Sequence, residues 1–220
     1  MPDLIGPSGF ILLRVLGASQ LFLSILSFMG FEKIAPKDWW RFLACALTGV
    51  ASNQLLFFNG LNLTTPINAA IIMTSNPVLV LIMAAILLKE PLNFRKILGI
   101  SLGAAGALWL ILQKQVERLE GGNILLGNTM IFLNALSYAA YLVMVKPLMS
   151  KYKPITVITY VFLIGTVFVL PFGAEQFSQV AWFGLSAKAI AALAFVVLGT
   201  TFLAYLLNLS LIHISEPTRP

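Results

Sequence analysis

A stretch without charge, residues 67–88, restricts the possible folds of this chain more than any other feature. It is long enough to cross a hydrocarbon layer of about 30 Å as an α-helix. Thr65 is suited to cap such a helix, and Pro66 fits its first position, where the missing N–H is not needed. Lys89 and Glu90 end the stretch. The sequence therefore predicts a transmembrane helix over 67–88.

Asn76-Pro77 interrupts this helix near its middle. Because Pro77 has no N–H, the carbonyl of Met73 loses its helical partner beside Thr74 and Ser75. A free backbone acceptor at membrane depth is tolerated where it is buried in protein or lines a wet cavity. One interpretation is a cavity of the kind that a transporter needs, with Pro77 as its hinge. The other is a kink that Ser75 or a neighbour satisfies locally.

Composition sets the class of protein. Of the 220 residues 59% are hydrophobic and 10% are charged, which exceeds what a soluble domain of this size can bury. The net charge of +6 comes from basic residues between apolar stretches, a pattern typical of membrane topology and not of nucleic-acid binding. Cys45 is the single cysteine, which excludes a disulfide framework. The chain is therefore predicted to be an all-α polytopic membrane protein.

Seven apolar stretches follow one another with short connections. They cover residues 9–29, 39–58, 67–88, 96–112, 124–145, 155–172 and 188–207. Short loops favour antiparallel packing of neighbouring helices. Lysine and arginine are concentrated in the odd-numbered loops, which predicts that these loops are cytoplasmic and that the N-terminus is outside. We therefore expect seven transmembrane helices.

The C-terminal residues 209–219 read LSLIHISEPTR, which resembles the translation of an adapter used in sequencing libraries. We expect residues 209–220 to be an artefact of that origin. The alternative is a genuine polar tail. His213, the single histidine, falls in this segment and is not assigned a function.

A weak internal repeat relates the two halves of the chain. Its markers are Trp39, Gly49 and Asn59 in the second stretch, and Trp182, Gly199 and Asn208 in the seventh. Aligning these places the sixth stretch on the first and makes the repeating unit five helices long. A unit with an odd number of spans inserts its second copy upside down, as in inverted-repeat transporters. The predicted repeats are 1–112, without a first helix, and 123–208, without its last two.

The whole chain up to about residue 208 resembles the EamA-like branch of the drug/metabolite transporter superfamily. The matching pieces are Leu13-Arg14, FFNGLN at 57–62, Asn76-Pro77, Lys89-Glu90-Pro91, the glycine pattern at 99–106, Tyr138, Lys146-Pro147, Gly199 and Tyr205. The resemblance implies helices two to eight of a ten-helix inverted-repeat carrier with a central cavity. It also implies secondary-type transport, usually export, of amino acids, other small metabolites or drugs across a bacterial inner membrane by alternating access.

Polar side chains at membrane depth are the candidate substrate ligands. They are Arg14, Asn53, Gln54, Thr74, Ser75, Asn76, Asn134, Ser137, Tyr138 and Tyr141. Such residues could hydrogen-bond a polar metabolite, or could bond across helices at about 0.6–2 kcal/mol each. Arg14 could attract a substrate carboxylate or extend to the headgroups. Both interpretations remain open at this stage.

The expected partners are the lipid bilayer and a small-molecule substrate, with no nucleic acid. Gly99, Gly103 and Ala107 form a small-residue face that favours either homodimerisation or packing within one chain. A seven-span receptor is the alternative function, because it would share the span count and orientation. The apolar stretches contain neither a carboxylate nor a histidine, so we expect no metal site, no cofactor and no enzymatic activity.

Overall fold

The structure is a computed structural model that describes residues 5–89, 94–112 and 123–208. These residues form nine α-helices and contain no β-strand. The helices are α1 (Pro7–Met29), α2 (Trp39–Ala46), α3 (Ser52–Leu61), α4 (Pro66–Met73), α5 (Asn76–Leu87), α6 (Phe94–Leu112), α7 (Ile124–Met149), α8 (Pro154–Ser178) and α9 (Ala187–Phe195). A first π segment, Leu47–Ala51, joins α2 to α3, and a second π segment, Val196–Leu203, extends α9.

Five continuous helical stretches in the described residues are long and apolar enough to cross a membrane. They are Pro7–Met29, Pro36–Leu61, Ile124–Met149, Pro154–Ser178 and Ala187–Asn208. The bent pair α4 and α5 makes a sixth if it is one span. The predicted stretch 96–112 forms α6 but is not among these candidates. The all-helical polytopic architecture is confirmed, and the count of seven spans stays a prediction.

The chain divides into two compact units. Unit 1 contains the described residues of Met1–Ala51 and Val145–Pro220, and unit 2 is Ser52–Met144 with its described residues. The predicted repeats at 1–112 and 123–208 divide the sequence differently, and that division stays a prediction. The tail at 209–220 lies outside the described residues.

In unit 1, the long helices α1 and α8 pack closely along their length. Phe22 and Phe162 are both fully buried, with ring centroids 5.1 Å apart in an edge-to-face arrangement. Close to one end of this interface, a Cβ added to Gly173 would lie 2.7 Å from the Cβ of Leu12. Glycine at this position therefore permits the close approach of the two helices.

Each π segment packs a valine against a glycine of one of these long helices. Val50 of the first π segment contacts Gly165 of α8, where an added Cβ would lie 2.7 Å from its Cγ1. Val197 of the second π segment contacts Gly17 of α1, and an added Cβ would again lie 2.7 Å from Cγ1. Each contact therefore joins a valine to a glycine. The first is between a π segment and α8, and the second is between the other π segment and α1.

Asp38 organises the polar end of unit 1. Both of its carboxylate oxygens accept from Nζ of Lys151, at 3.0 and 3.1 Å, and Oδ2 also accepts from the hydroxyl of Tyr152 at 2.9 Å. The same Tyr152 oxygen accepts from the backbone N–H of Ala35 at 3.0 Å. These bonds connect the loop before α2 to the turn between α7 and α8.

In unit 2, α3 and α7 cross at a pair of glycines. A Cβ on Gly127 would lie 2.8 Å from the carbonyl oxygen of Gly60, and a Cβ on Gly60 would lie 3.0 Å from that of Gly127. The next helix begins as predicted, with Pro66 in its first turn and the Thr65 hydroxyl accepting from the N–H of Asn68 at 3.2 Å. The predicted N-cap is therefore confirmed.

The small-residue face of α6 is used at one position within the chain. A Cβ on Gly103 would lie 2.5 Å from Cγ2 of Val78, so α5 and α6 approach each other closely there. Gly99 faces open space. The side chain of Ala107 lies outside the described residues, and homodimerisation through this face stays a prediction.

Candidate functional site

The predicted break lies between α4 and α5, whose axes differ by 43°. The N–H groups of Thr74 and Ser75 bond to the carbonyls of Ile71 and Ile72 three residues back, so the α-helical ladder is replaced by a tight turn. The two hydroxyls donate to the same carbonyls, at 2.6 and 2.7 Å. Thr74 and Ser75 are therefore used, at least in part, to satisfy the break itself.

Exposure differs among the residues of the break. Ser75 is buried, Asn76 is half-buried, and Thr74 and Pro77 are exposed. The oxygen of the Asn76 amide is nevertheless buried. Thr74 and Pro77 are therefore on the exposed side of the break, whereas the amide oxygen of Asn76 lies in the interior of unit 2.

The packing of α7 fixes the depth of the break within unit 2. Ile72, just before the break, belongs to a buried cluster with Ile131 of α7. Leu79, just after it, is buried with Ala135 and Ala139 one to two turns further along α7. Asn134 occurs in the stretch of α7 that these contacts bracket.

Asn134 joins α7 to α3. Its Nδ2 donates to the carbonyl oxygen of Asn53 at 2.6 Å, and its side chain is buried. Gln54, the next residue of α3, is also buried, at 3% exposure. Two of the predicted site residues, Asn53 and Asn134, are therefore in contact, and Gln54 is the next residue along α3.

Four amide side chains of unit 2 have buried polar atoms without a hydrogen-bond partner among the described residues. They are Gln54, with both of its amide atoms, and Asn68, Asn76 and Asn134, each with Oδ1. We call these four residues the amide set. An unsatisfied buried polar group costs about 1–3 kcal/mol, so such a group in a native protein indicates a missing partner such as water or a ligand. The interior of unit 2 therefore offers unused hydrogen-bonding capacity.

Asn68 belongs to a buried chain of hydrogen bonds that the sequence analysis missed. Its Nδ2 donates to the Thr64 hydroxyl at 3.1 Å, and that hydroxyl donates to Oδ1 of Asn128 at 2.5 Å. A signal was present, because Thr64 and Asn68 are polar residues four positions apart at the start of one apolar stretch and Asn128 is polar near the start of another.

The remaining residues of the predicted stripe lie on α7. Tyr141 is buried, Ser137 and Tyr138 are half-buried, and the two tyrosine rings have centroids 5.9 Å apart. All three side chains make interactions within the protein. They add aromatic and hydroxyl groups to the part of unit 2 that contains Asn134.

Arg14 belongs to unit 1, unlike the other predicted site residues. Its Nε donates to Oγ1 of the buried Thr201, in the second π segment, at 2.9 Å. Its guanidinium carbon lies 5.8 Å from the centroid of the Phe10 ring. Neither of the roles considered for Arg14 included this contact with Thr201.

Unit 1 also contains an open groove of about 620 Å³ between α1 and the last span. Its wall is mostly apolar, with Gln20 and Ser24 as polar members, and it includes none of the predicted site residues. A specific site for a polar molecule needs several placed polar groups. We therefore place the candidate site at the amide set of unit 2.

Comparison with known proteins gives one family. The model of the EamA-like transporter family matches residues 1–112 and 125–219. An uncharacterized transporter of Bacillus subtilis, YyaM, is 30% identical over 191 residues, which are 86% of this chain and 63% of that protein. A probable terminal-alkyne amino-acid exporter of Streptantibioticus cattleyicolor is 25% identical over 168 residues, 76% of this chain and 54% of that protein.

A third relative, an uncharacterized transporter of Archaeoglobus fulgidus, is 29% identical over 143 residues, 65% of this chain and 48% of that protein. The chain therefore spans about half to just under two thirds of the length of these three relatives. No solved structure matches the chain at a significant level.

Proposed function

The chain belongs to the EamA-like transporter family, and from this membership we propose that it forms part of a secondary-type carrier for small organic metabolites. The carrier works by alternating access around a polar cavity, and the proposed direction is export. The relative named as a probable amino-acid exporter supports amino acids or their derivatives as the substrate class. The proposed location is a bacterial inner membrane.

The observation that carries this proposal is the amide set beside a broken helix. Gln54 and Asn134 are buried at 3% and 1% exposure in a unit built from apolar helices. If these residues only held helices together, their amide oxygens would be paired within the protein. Unpaired polar atoms at the depth of a helix break are typical of a ligand site in a transporter.

The proposed architecture is an inverted repeat of which this chain contains seven helices, numbers two to eight of ten. Two separate family matches, at 1–112 and 125–219, support a division into two repeats. The π segments also support it: one contains Gly49 and the other Gly199, the two glycines that the sequence alignment paired.

The packing of unit 1 provides independent support for the repeat. In the alignment, α1 corresponds to α8 and the first π segment corresponds to the second. Exchanging both pairs converts a contact of the first π segment with α8 into a contact of the second π segment with α1, and the structure has both, through Val50 with Gly165 and through Val197 with Gly17. The two valines themselves stand at different positions relative to the paired glycines Gly49 and Gly199. A chance similarity of sequence would not require this exchange of contacts.

Transport is tested by counterflow in proteoliposomes. The purified chain is reconstituted into vesicles loaded with unlabelled L-norleucine, and uptake of radiolabelled L-norleucine is followed. We expect transient accumulation above that of protein-free vesicles. Accumulation equal to the protein-free level would contradict transport of this substrate class by the chain.

A further inference from the structure

The acidic side chains at one end of unit 1 are bonded within the fold. Oε2 of Glu32 accepts from the backbone N–H of Lys153 at 3.0 Å and from the hydroxyl of Thr156, at the start of α8. Asp38 is buried and is paired with Lys151. These bonds hold the loop before α2 against the turn between α7 and α8, and they engage both carboxylates.

The same end has an excess of positive charge. Residues 30–41 and 146–156 contain six basic residues against the two acidic ones, which leaves a net charge of +4. Two of the six, Arg41 and Lys151, face Asp38, with N···O distances of 3.9 and 3.0 Å. The other four form no ion pair with a described residue. Their charge is therefore available to a partner.

Three of these four lysines are exposed. They are Lys33, Lys37 and Lys153, which we call the surface lysines. Lys33 follows Glu32 in the sequence, and Lys153 provides the N–H that Glu32 accepts. Lys37 directly precedes Asp38. All three therefore belong to the end of unit 1 at which the two loops meet.

Exposed aromatic residues accompany the surface lysines. Phe31 and Trp40 are both exposed, and the guanidinium carbon of Arg41 lies 5.3 Å from the centroid of the Trp40 ring. The apolar helix α1 ends at Met29, directly before this loop. Tryptophan at the end of an apolar span is typical of the headgroup level of a bilayer. We therefore expect the surface lysines at the level of the lipid phosphates.

From this arrangement we infer that this end of unit 1 is a docking surface for anionic phospholipids, whose phosphate groups contact Lys33, Lys37 and Lys153. Charge complementarity favours this partner, because the acidic groups that could neutralise the lysines are bonded elsewhere in the fold. Each basic residue near an anionic membrane surface strengthens binding about fivefold. The inference goes beyond the proposed transport, since it involves neither the substrate nor the amide set.

The test measures lipid binding by the full chain in mixed detergent micelles. Energy transfer from the tryptophans to a pyrene-labelled phosphatidylglycerol reports binding, and unlabelled phosphatidylglycerol, phosphatidylcholine and inorganic phosphate compete with it. We expect phosphatidylglycerol to compete at least tenfold more strongly than phosphatidylcholine, whose headgroup has no net charge. Inorganic phosphate at the same concentration should not displace the labelled lipid. Added salt should weaken the binding of phosphatidylglycerol, because salt screens exposed charges.

Single variants identify the residues involved. Lys33→Gln and Lys153→Gln should each weaken the binding of phosphatidylglycerol about fivefold, and the double variant about 25-fold. Their melting temperatures should stay close to that of the unmodified chain, because neither lysine has an ion pair with a described residue. The control is Lys188→Gln, the same change at an exposed lysine in the first turn of α9. Since α9 follows the C-terminal end of α8, this control should leave the binding unchanged.

Three results would overturn the inference. The first is phosphatidylcholine competing as strongly as phosphatidylglycerol. The second is Lys188→Gln weakening the binding as much as Lys33→Gln, which would indicate an effect of net charge alone. The third is displacement by inorganic phosphate at the concentration of the lipid, which would assign the lysines to a free anion.

Discussion

Replacing the glycines that receive the π-segment valines should destabilise unit 1, and more so at Gly165, where an added Cβ would also lie 2.8 Å from the Cβ of Val50, than at Gly17, where the Cβ of Val197 is 3.6 Å away. The variants are Gly165→Ala and Gly17→Ala. In each case the new Cβ would lie 2.7 Å from a valine Cγ1, whereas carbon atoms in favourable contact are about 3.5–4.0 Å apart. Valine is stiff about χ1, so the methyl cannot simply rotate away.

The expected magnitude follows from two opposing effects. Forcing an extra carbon into a packed interior costs about 1–3 kcal/mol. Replacing glycine by alanine inside a helix gains up to about 1 kcal/mol. Gly99→Ala on α6 provides a control for the second effect, because an added Cβ there meets no atom within 4 Å. Relative to this control, each variant should lower the free energy of unfolding by about 1–3 kcal/mol.

Unfolding is measured in mixed micelles by circular dichroism while the fraction of denaturing detergent is raised. Combining Gly165→Ala with Val50→Ala, and Gly17→Ala with Val197→Ala, should recover stability, with a coupling energy of about 1–3 kcal/mol in each pair. Crossed pairs should show no coupling. Glycine variants as stable as Gly99→Ala, or coupling in only one pair, would refute the packing of the two valines against these glycines.

Three further predictions follow from single contacts. Gly127→Ala should lower the free energy of unfolding by about 2 kcal/mol or more, because the new Cβ would meet the Gly60 carbonyl and not a flexible side chain. A smaller loss would contradict the close crossing of α3 and α7. Asp38→Asn should lower the melting temperature and make it less sensitive to salt, because the ion pair with Lys151 is lost; unchanged values would show that the pair does not contribute. Arg14→Met should lower the free energy of unfolding by about 1 kcal/mol, because the bond to Thr201 is lost, and should leave the affinity for L-norleucine unchanged. Weaker binding of L-norleucine by this variant would show that Arg14 contacts the substrate.

The sequence predicted the features of this fold that depend on neighbouring residues. The break at Asn76-Pro77 follows from the missing N–H of proline, and the helix start at Pro66 follows from its N-cap threonine. All seven apolar stretches coincide with helices to within a few residues, because hydropathy is a property of each segment alone. The family was recognised for a related reason, since its motifs are short and local.

The features that were not predicted depend on residues distant in sequence. The π segments have no local signature, and the second of them is held by Arg14, nearly the whole chain away from Thr201. The pairing of Asp38 with Lys151 likewise requires two loops to meet. The candidate site was predicted in part: polarity at depth identified Gln54 and Asn134, but it could not show which of their atoms would remain unpaired.

Accessibility of Gln54 in the membrane is the most direct test of a polar, ligand-reachable interior. Gln54→Cys and Leu133→Cys are made on a Cys45→Ala background, and modification by 2-aminoethyl methanethiosulfonate is followed in proteoliposomes. Leu133 is 44% exposed on α7 beside Asn134 and serves as the apolar control. The account predicts that Gln54→Cys is modified, that L-norleucine slows this reaction, and that Leu133→Cys is not modified. Modification of Gln54→Cys no faster than that of Leu133→Cys would contradict it.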